Sequence, residues 1–301
     1  MHTPLNYALG RNTMSRIAVL GTGAMGSRIV QNLLTAKHEV VVYNRTPDKV
    51  TALLDQGATY AATPKQAAEQ AEIVMSMVTD NQVSSWIWLD PETGAANGLA
   101  PDAIAIESST LTVDWVKTLA PQLQMRGAAF LDAPMVGSRP QVEAGKLIYL
   151  VGGAVETLAK VQAILLSAGA ASVHAVGEIG QGSAMKLAVN ALFGIQLAAL
   201  AEAIGLLNHQ GIPIAKAMDC LSQLPIMSPA ASFAGNLMVA NNHAPLFPIE
   251  LVEKDFRYAV ESAQEVNATI PIAMATHAVY QEAIAQGYGG DNITGVVQLF
   301  T

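Results

Sequence analysis

Three glycines at a fixed spacing near the start of the chain constrain its fold more than any other feature. Gly21, Gly23 and Gly26 form the pattern G-x-G-x-x-G between an apolar, β-branched run, Ile17–Gly21, and a segment with helical spacing, Ala24–Ala36. In such a unit the first glycine permits a tight turn, the second lets the backbone approach a pyrophosphate, and the third lets the helix pack on the strand. The phosphates then lie at the helix N-terminus, where free N–H groups favour an anion. The predicted nucleotide-binding loop consists of Gly21, Thr22, Gly23, Ala24, Met25 and Gly26.

Short apolar runs alternate with helical segments up to about residue 176. Further strands are predicted at Val40–Asn44, Ile73–Val78, Ile104–Glu107, Phe130–Asp132 and Leu147–Val151, and further helices at Pro47–Gly57 and Val155–Ser167. This alternation indicates a parallel sheet covered by helices on both faces. A glycine-rich loop alone could be a plain turn, so the strand before it and the helix after it are what favour nucleotide binding.

The remainder of the chain shows helical patterns only. These patterns span residues 183–208, 213–222, 228–238, 250–266 and 271–286. The predicted fold class is α/β, with an N-terminal Rossmann-type doubly wound parallel sheet over 14–178. A long interdomain helix joins it to an all-α domain over 179–301 that serves substrate binding and dimerisation. Residues 1–13 lack the basic and apolar regions of a secretory signal, and we predict a disordered extension there.

Composition excludes several classes of function. The chain has 301 residues, of which 51% are hydrophobic and 13% charged, and a net charge of −8 argues against a nucleic-acid binder. Cys220 is the single cysteine and the histidines lack metal-ligand spacing, so we expect no disulfide, no metal and a cytoplasmic location. The apolar stretch 187–207 is interrupted by Asn190, Gln196 and Glu202, which favours a buried helix over a membrane span.

The end of the second predicted strand bears on the choice of cofactor. An acidic residue there would accept hydrogen bonds from the ribose hydroxyls of NAD. This chain has Asn44, Arg45 and Thr46 instead. Because arginine can form a forked contact with a phosphate, the sequence favours NADP(H), with NAD(H) possible. A solvated arginine beside a helix-capping threonine is the alternative, and it is compatible with the first.

A polar pair marks the start of the long apolar helix. In the run GQGSAMKLAVN, Lys186 and Asn190 are four residues apart and therefore share one face of a helix. Polar groups near a buried apolar segment need partners, since unsatisfied burial costs free energy. With the nucleotide loop upstream, the pair suggests a redox enzyme in which Lys186 handles a proton. A solvated lysine in a first helical turn is the alternative interpretation.

With these segments in order, the chain resembles the β-hydroxyacid dehydrogenase family, and within it the glyoxylate/succinic semialdehyde reductase branch. The resemblance runs from about Arg16 to Leu299. Its motifs are GTGAMGSRIVQNLL, HEVVVYNRTPDK, ESST, DAPMVGSRPQVEAGKL, GQGSAMKLAVN and EKDF. The resemblance implies a Rossmann domain and an all-α domain joined by a long helix, and homodimers or homotetramers.

The resemblance also implies roles for individual residues. Lys186 would be the catalytic acid and base, and Asn190 would help to hold the substrate. Thr110 would lie by the nicotinamide and Lys254 on the cofactor side of the site. Asp255 would support the site and Phe247 would form an aromatic wall. We further predict cofactor contacts at Met77 and Val78 and substrate contacts at Ser109, Met135, Val136, Gly137 and Ser138.

The substrate loop departs from the family pattern. The family's loop D-A-P-V-S-G-G carries a serine where this chain has Val136. One hydroxyl donor for a substrate carboxylate is therefore missing, although Ser138 is close in sequence. The departure admits a bulkier or less polar carbonyl than a small hydroxy acid, because sites built to pair polar groups discriminate most strongly.

Three hypotheses follow. The first is an NADPH-dependent reductase of a small carbonyl or hydroxy-acid substrate. The second is an imine reductase-like enzyme, which Lys186 argues against because such enzymes usually replace that lysine. The third is a non-catalytic dinucleotide-binding protein, which would be expected to lose Lys186 or Asn190.

Overall fold

A computed structural model describes residues 14–301, so the predicted extension over residues 1–13 lies outside the described residues. The chain divides into two compact units. The first unit ends at Lys186, and the second comprises Leu187–Thr301. The division falls inside the long helix, eight residues after the boundary between 178 and 179 that the sequence predicts.

The first unit is built on a parallel-dominated sheet. Within residues 14–186 its nine strands are β1 (Arg16–Leu20), β2 (Glu39–Tyr43), β3 (Thr59–Tyr60), β4 (Ile73–Ser76), β5 (Ile104–Glu107), β6 (Ala129–Asp132), β7 (Met135–Val136), β8 (Leu147–Gly152) and β9 (Ala170–Gly177). The order is β3-β2-β1-β4-β5-β6-β8-β7, with β9 also paired to β8. Strands β1 to β6 are mutually parallel, and the order reverses between β1 and β4. In doubly wound sheets, ligands bind at the carboxyl ends of the strands at this reversal.

The sheet is not parallel throughout, which corrects the sequence-based prediction in one region. Strand β8 runs antiparallel to β6 and β7 and parallel to β9. The sequence pattern missed three strands for local reasons. Strands β3 and β7 have two residues each, too few to show a period. Strand β9 is largely exposed and carries Ser172 and His174, so it lacks the apolar run of a buried strand.

Helices cover both faces of this sheet, as predicted. They are α1 (Gly26–Thr35), α2 (Thr51–Leu54), α3 (Pro64–Glu69), α4 (Asn81–Leu89), α5 (Val113–Gln124), α6 (Arg139–Glu143) and α7 (Val155–Ser167). Two separate hydrophobic clusters lie on the two faces, and successive residues of β1 alternate between them: Ile17 and Val19 in one, Ala18 and Leu20 in the other. This period of two is the expected signature of a strand buried on both sides.

One predicted helix is shorter than expected. The segment Pro47–Gly57 contains a 3₁₀ turn over Pro47–Val50 and only one α-helical turn, α2. Gly57 closes it with a positive φ of 104°, a conformation that favours glycine.

The second unit is helical within its described residues, as predicted. It contains most of α8 (Gln181–His209), followed by α9 (Ile214–Leu221), α10 (Pro229–Val239), α11 (Ile249–Glu265), α12 (Pro271–Ala285) and a 3₁₀ helix at Ile293–Leu299. Helix α8 has 29 residues and is therefore about 43 Å long. By length and composition it could cross a membrane, and 44% of its most apolar window is buried inside the protein.

A glycine in the middle of α8 sets the packing of three helices in the second unit. A Cβ atom on Gly194 would lie 2.5 Å from Cε2 of Phe256 on α11. The Phe256 ring stacks on Tyr280 of α12 with centroids 5.5 Å apart. The Tyr280 hydroxyl donates a hydrogen bond to the carbonyl oxygen of Gly194, at 3.0 Å. The missing side chain therefore lets α8 approach both aromatic rings.

We predict that Gly194→Ala destabilises the protein relative to Gly235→Ala. Both glycines are inside helices, so both variants gain about 1 kcal/mol of helix propensity. At Gly235 the new Cβ meets the flexible end of Met218, whereas at Gly194 it meets the stacked Phe256 ring. Overpacking costs typically 1–3 kcal/mol, and urea unfolding should show about this difference between the variants. Equal free energies of unfolding would contradict the packing role of Gly194.

Candidate active site

Each of the three positions in the nucleotide loop is a glycine for a different structural reason. Gly21 has a φ of +100°, and a Cβ there would overlap the carbonyl oxygen of Met77. A Cβ on Gly26, where α1 begins, would overlap the carbonyl oxygen of Gly21. A Cβ on Gly23 would meet nothing within 4 Å. The first and third glycines are thus required by the fold itself, whereas the second leaves an open face of backbone that fits a pyrophosphate.

Asn44 connects the end of β2 to this loop. Its Nδ2 donates to Thr22 Oγ1 at 2.8 Å, and its Oδ1 accepts from the backbone N–H of Thr46 at 2.9 Å. Arg45 lies between them with an exposed side chain. Asn44 therefore shapes the turn that presents Arg45 and Thr46 beside the glycine loop.

A buried carboxylate at the end of β5 organises the neighbouring loops, and sequence reasoning gave it no role. Glu107 is 1% exposed. Its oxygens accept hydrogen bonds from Ser84 Oγ at 2.8 Å, Trp88 Nε1 at 2.9 Å and the backbone N–H of Ser109 at 3.0 Å. Burial raises the pKa of Glu107, and these hydrogen bonds oppose the rise. The sequence does contain a signal that could have identified Glu107, namely a charged residue at the end of an otherwise apolar strand.

Ser109 links the carboxyl ends of β4 and β5. Its hydroxyl oxygen accepts a hydrogen bond from the backbone N–H of Val78 at 2.8 Å, and the residue is 3% exposed. The predicted cofactor residues Met77, Val78 and Thr110 are half-buried and follow these two adjacent strands. The structure thus brings them to the same edge as the glycine loop and places the predicted substrate residue Ser109 in support of their backbone.

A second buried carboxylate, Asp132, ends the neighbouring strand β6 and is fully buried. It accepts hydrogen bonds from the backbone N–H groups of Gly180 and Ser183, both at 2.8 Å. Burial raises the pKa of Asp132 to about 6, against the opposing effect of these hydrogen bonds. Sequence reasoning used Asp132 only to align the substrate loop.

The predicted substrate contacts begin three residues later, at Met135. Met135 and Val136 form β7, where Val136 is half-buried and opposite Ile148 of β8. Gly137 has a φ of +126°, which a valine or serine would rarely adopt. Ser138 lies at the N-cap position of α6, and its N–H donates to Gln141 Oε1 at 2.9 Å. The loop is therefore held from both sides, by β8 and by α6.

The second unit brings three predicted site residues together. Asn190, Lys254 and Asp255 are 8%, 9% and 4% exposed. Asn190 Nδ2 donates to Asp255 Oδ2 at 2.6 Å. Lys254 Nζ lies 3.1 Å from Asp255 Oδ1, an ion pair without hydrogen-bond geometry, and 5.0 Å from the centroid of the Tyr258 ring. Sequence reasoning assigned these residues separately to catalysis, cofactor and substrate.

Two further predicted residues lie nearby in the chain. Lys186 is 9% exposed on α8, one helical turn before Asn190. Phe247 is half-buried in the loop before α11, where its N–H donates to Asn292 Oδ1 at 2.9 Å. Among residues 14–301, no group of three or more His, Cys, Asp or Glu side chains is arranged to hold a metal ion.

Comparison with known proteins covers nearly the whole described chain. Residues 16–177 match the family described as the NAD binding domain of 6-phosphogluconate dehydrogenase, and residues 180–300 match that described as NAD-binding of NADP-dependent 3-hydroxyisobutyrate dehydrogenase. Glyoxylate/succinic semialdehyde reductase 2 of Arabidopsis thaliana, a chloroplastic protein, is 31% identical over 282 residues, 94% of this chain and 78% of that protein.

Two other similarities agree with these matches. The 3-sulfolactaldehyde reductase of Escherichia coli is 31% identical over 293 residues, 95% of each chain. The solved structure of the Mycobacterium tuberculosis 3-hydroxyisobutyrate dehydrogenase with L-serine superposes with a TM-score of 0.87 at 24% identity, covering 95% of this chain and 99% of that one. The last similarity shows the fold.

We predict that Asp132 makes the stability of the protein fall as the pH rises from about 4 to about 6. Its folded-state pKa, about 6, is raised above the ordinary 3.8. Its stabilising contribution is therefore complete below pH 4 and lost as the pH passes 6, a change of about 3 kcal/mol. Urea unfolding of the native protein and of Asp132→Asn, which does not titrate there, should give free energies whose difference changes across this range. A constant difference would contradict the raised pKa.

Proposed function

The chain belongs to the 3-hydroxyisobutyrate dehydrogenase-like β-hydroxyacid dehydrogenases, which are NAD(P)-dependent oxidoreductases, and we propose that it reduces a small carbonyl acid or semialdehyde with NADPH. We propose Lys186 as the general acid and base. One observation carries this assignment: among the lysines of residues 14–301, Lys186 and Lys254 alone are buried. Lysines are rarely buried unless paired or functional.

A bound nicotinamide cofactor would supply the hydride to the carbonyl carbon. Lys186 as ammonium donates a proton to the carbonyl oxygen as negative charge develops there, and as amine it accepts the proton in the reverse direction. General acid catalysis of this kind contributes roughly 10²–10⁴-fold.

Asn190 would orient the substrate. The Nδ2 end of the Asn190 amide is occupied by Asp255, because it donates to Oδ2 at 2.6 Å. The amide oxygen is then available to a substrate hydroxyl. Lys254 balances the charge of Asp255, because its Nζ lies 3.1 Å from Oδ1.

The preference for NADPH over NADH rests on the turn after β2. An acidic residue is absent from Asn44–Thr46, where the ribose of NAD would be held. Asn44 stabilises the turn by hydrogen bonds with Thr22 and with the Thr46 N–H. The exposed side chain of Arg45 can then bind a 2′-phosphate.

The substrate class follows from the relatives and from the loop at Val136. Two reductases that are similar to this chain are named for glyoxylate, succinic semialdehyde and 3-sulfolactaldehyde. Val136, half-buried in β7, favours a less polar carbonyl and also keeps a cyclic imine as a second candidate. NADPH oxidation with glyoxylate, succinic semialdehyde, 3-sulfolactaldehyde and a cyclic imine would separate them. Turnover of the imine alone would reject the carbonyl-reductase proposal.

We also propose a homodimer or homotetramer. Helix α8 exposes Leu192 and Leu206, at 59% and 62%, with the exposed Ala199 midway between them at heptad spacing. Such an apolar stripe fits a partner helix. Light scattering that gives a monomeric mass at micromolar concentration would reject this proposal.

We predict that Lys186→Ala lowers kcat for carbonyl reduction by roughly 10²–10⁴-fold, because the proton donor is lost. The Kd for NADPH, measured by fluorescence titration, should stay close to that of the native protein. Lys160→Ala, which removes an exposed lysine on α7, is the matched control and should leave both quantities unchanged. Undiminished turnover by Lys186→Ala would exclude Lys186 as the proton donor.

We predict that Arg45→Asp reverses the preference for NADPH over NADH. The change removes a phosphate contact and places a carboxylate where a ribose hydroxyl can donate to it. The ratio of kcat/KM for the two cofactors measures the effect. Lys160→Asp makes the same reversal of charge on α7 and should leave the ratio unchanged; an unaltered ratio in Arg45→Asp would contradict the cofactor assignment.

A further inference from the structure

The carboxylate of Asp132 connects two segments far apart in the sequence. Asp132 lies at the carboxyl end of β6, and the backbone N–H groups that it binds belong to Gly180 and Ser183, 48 and 51 residues away. Each oxygen accepts one hydrogen bond, Oδ1 from Gly180 and Oδ2 from Ser183. Gly180 directly precedes α8 and Ser183 lies in its first turn, where backbone N–H groups have no partners within the helix. The carboxylate also complements the positive end of the helix dipole.

Glycines allow this close approach. A Cβ on Gly182 would lie 2.8 Å from Asp132 Oδ2, 2.7 Å from the Asp132 carbonyl oxygen and 2.6 Å from the carbonyl oxygen of Leu150. A Cβ on Gly152 would overlap Asp132 Oδ1 and lie 2.9 Å from the backbone nitrogen of Gly182. Gly180 has a φ of +91°. Three glycines around one carboxylate indicate a specific attachment of the helix to the end of the sheet.

The attachment lies immediately before the residue proposed to transfer the proton. Lys186 follows Ser183 by three residues, within one helical turn. On the other side, Asp132 leads directly through Ala133 and Pro134 to the predicted substrate loop at Met135 and Val136. One carboxylate therefore joins the strand that carries the substrate loop to the helical turn that carries Lys186.

We propose that Asp132 is a positioning residue, which fixes the place of the Lys186 ammonium by holding the first turn of α8 against the end of β6. The proposal rests on the proposed role of Lys186 and adds to it the group that positions it. Burial keeps the pKa of Asp132 raised, so its ionised form at neutral pH is held at a cost in stability. That cost is consistent with a positional rather than a stabilising role.

The first test compares Asp132→Asn with a helix-cap control. Asparagine keeps the size of the side chain but presents an NH₂ group to one of the two backbone donors. We expect kcat to fall by about 10- to 100-fold with the Kd for NADPH unchanged, because a displacement of about 1 Å costs up to 10²-fold. Thr63→Ala removes the side chain that caps α3 in the same unit and should leave kcat unchanged. Unchanged kcat in Asp132→Asn overturns the proposal.

A second variant keeps the carboxylate intact. Gly182→Ala pushes the first turn of α8 away from Asp132, so it should reproduce the loss in kcat. Hydrogen exchange of the segment 180–190 should become faster in both variants and stay unchanged in Thr63→Ala. Native-like exchange in Asp132→Asn overturns the proposal even if kcat falls.

A double-mutant cycle shows whether Asp132 acts through Lys186. In single-turnover measurements with enzyme in excess, Asp132→Asn should cause no further loss in the Lys186→Ala background. An equal loss in both backgrounds overturns the positioning role while leaving the proposed function in place. Full activity of Lys186→Ala instead overturns the proposed proton donor and, with it, the positioning role.

Discussion

Two carboxylates buried at the carboxyl edge of the sheet hold the loops on which the site depends. Glu107 and Asp132 are register partners at the ends of the adjacent strands β5 and β6, and both are 1% exposed or less. A buried carboxylate is costly unless hydrogen bonds satisfy it, so each one imposes a fixed arrangement on its donors. Glu107 fixes Ser84, Trp88 and the backbone at Ser109. Asp132 fixes the first turn of α8 through two backbone N–H groups.

The second unit also contains a buried carboxylate, Asp255, which lies beside a positively charged side chain. Asp255 receives the amide of Asn190 and lies beside the ammonium of Lys254. Because Asn190 and Asp255 belong to different helices, the hydrogen bond fixes both the amide orientation and the approach of α8 to α11. One turn further along α8, Gly194 lies against Phe256 of α11. This close approach brings the two helix backbones near enough for the hydrogen bond between Asn190 and Asp255.

Much of the fold follows from local sequence pattern. The alternation of short apolar runs with helical spacing predicts the parallel core of the sheet, and the glycine pattern predicts the turn between β1 and α1. The bounds of α9 to α12 lie within two residues of the pattern because their caps and breaks are local. The antiparallel pairing of β8 and the edge strand β9 are not local properties. The strands with which they pair depend on where the chain returns to the sheet. A short window of sequence carries no information about that position.

The residues of the candidate site likewise divide into those that local sequence identifies and those that depend on distant partners. Gly21, Gly23, Gly26 and the pair Lys186 and Asn190 can be selected from the sequence, because their chemistry depends on neighbours within one turn or loop. The hydrogen-bond partners of Glu107, Asp132 and Asp255 lie between 2 and 65 residues away, and all but one of those separations exceed 18 residues. A charged residue in an apolar run signals that a partner exists but does not identify it. The sequence by itself thus determined the elements and the residue types available for chemistry. Only the tertiary structure decided which polar groups are in contact. A buried polar group is costly without a hydrogen-bond partner, and long-range packing determines which group becomes that partner.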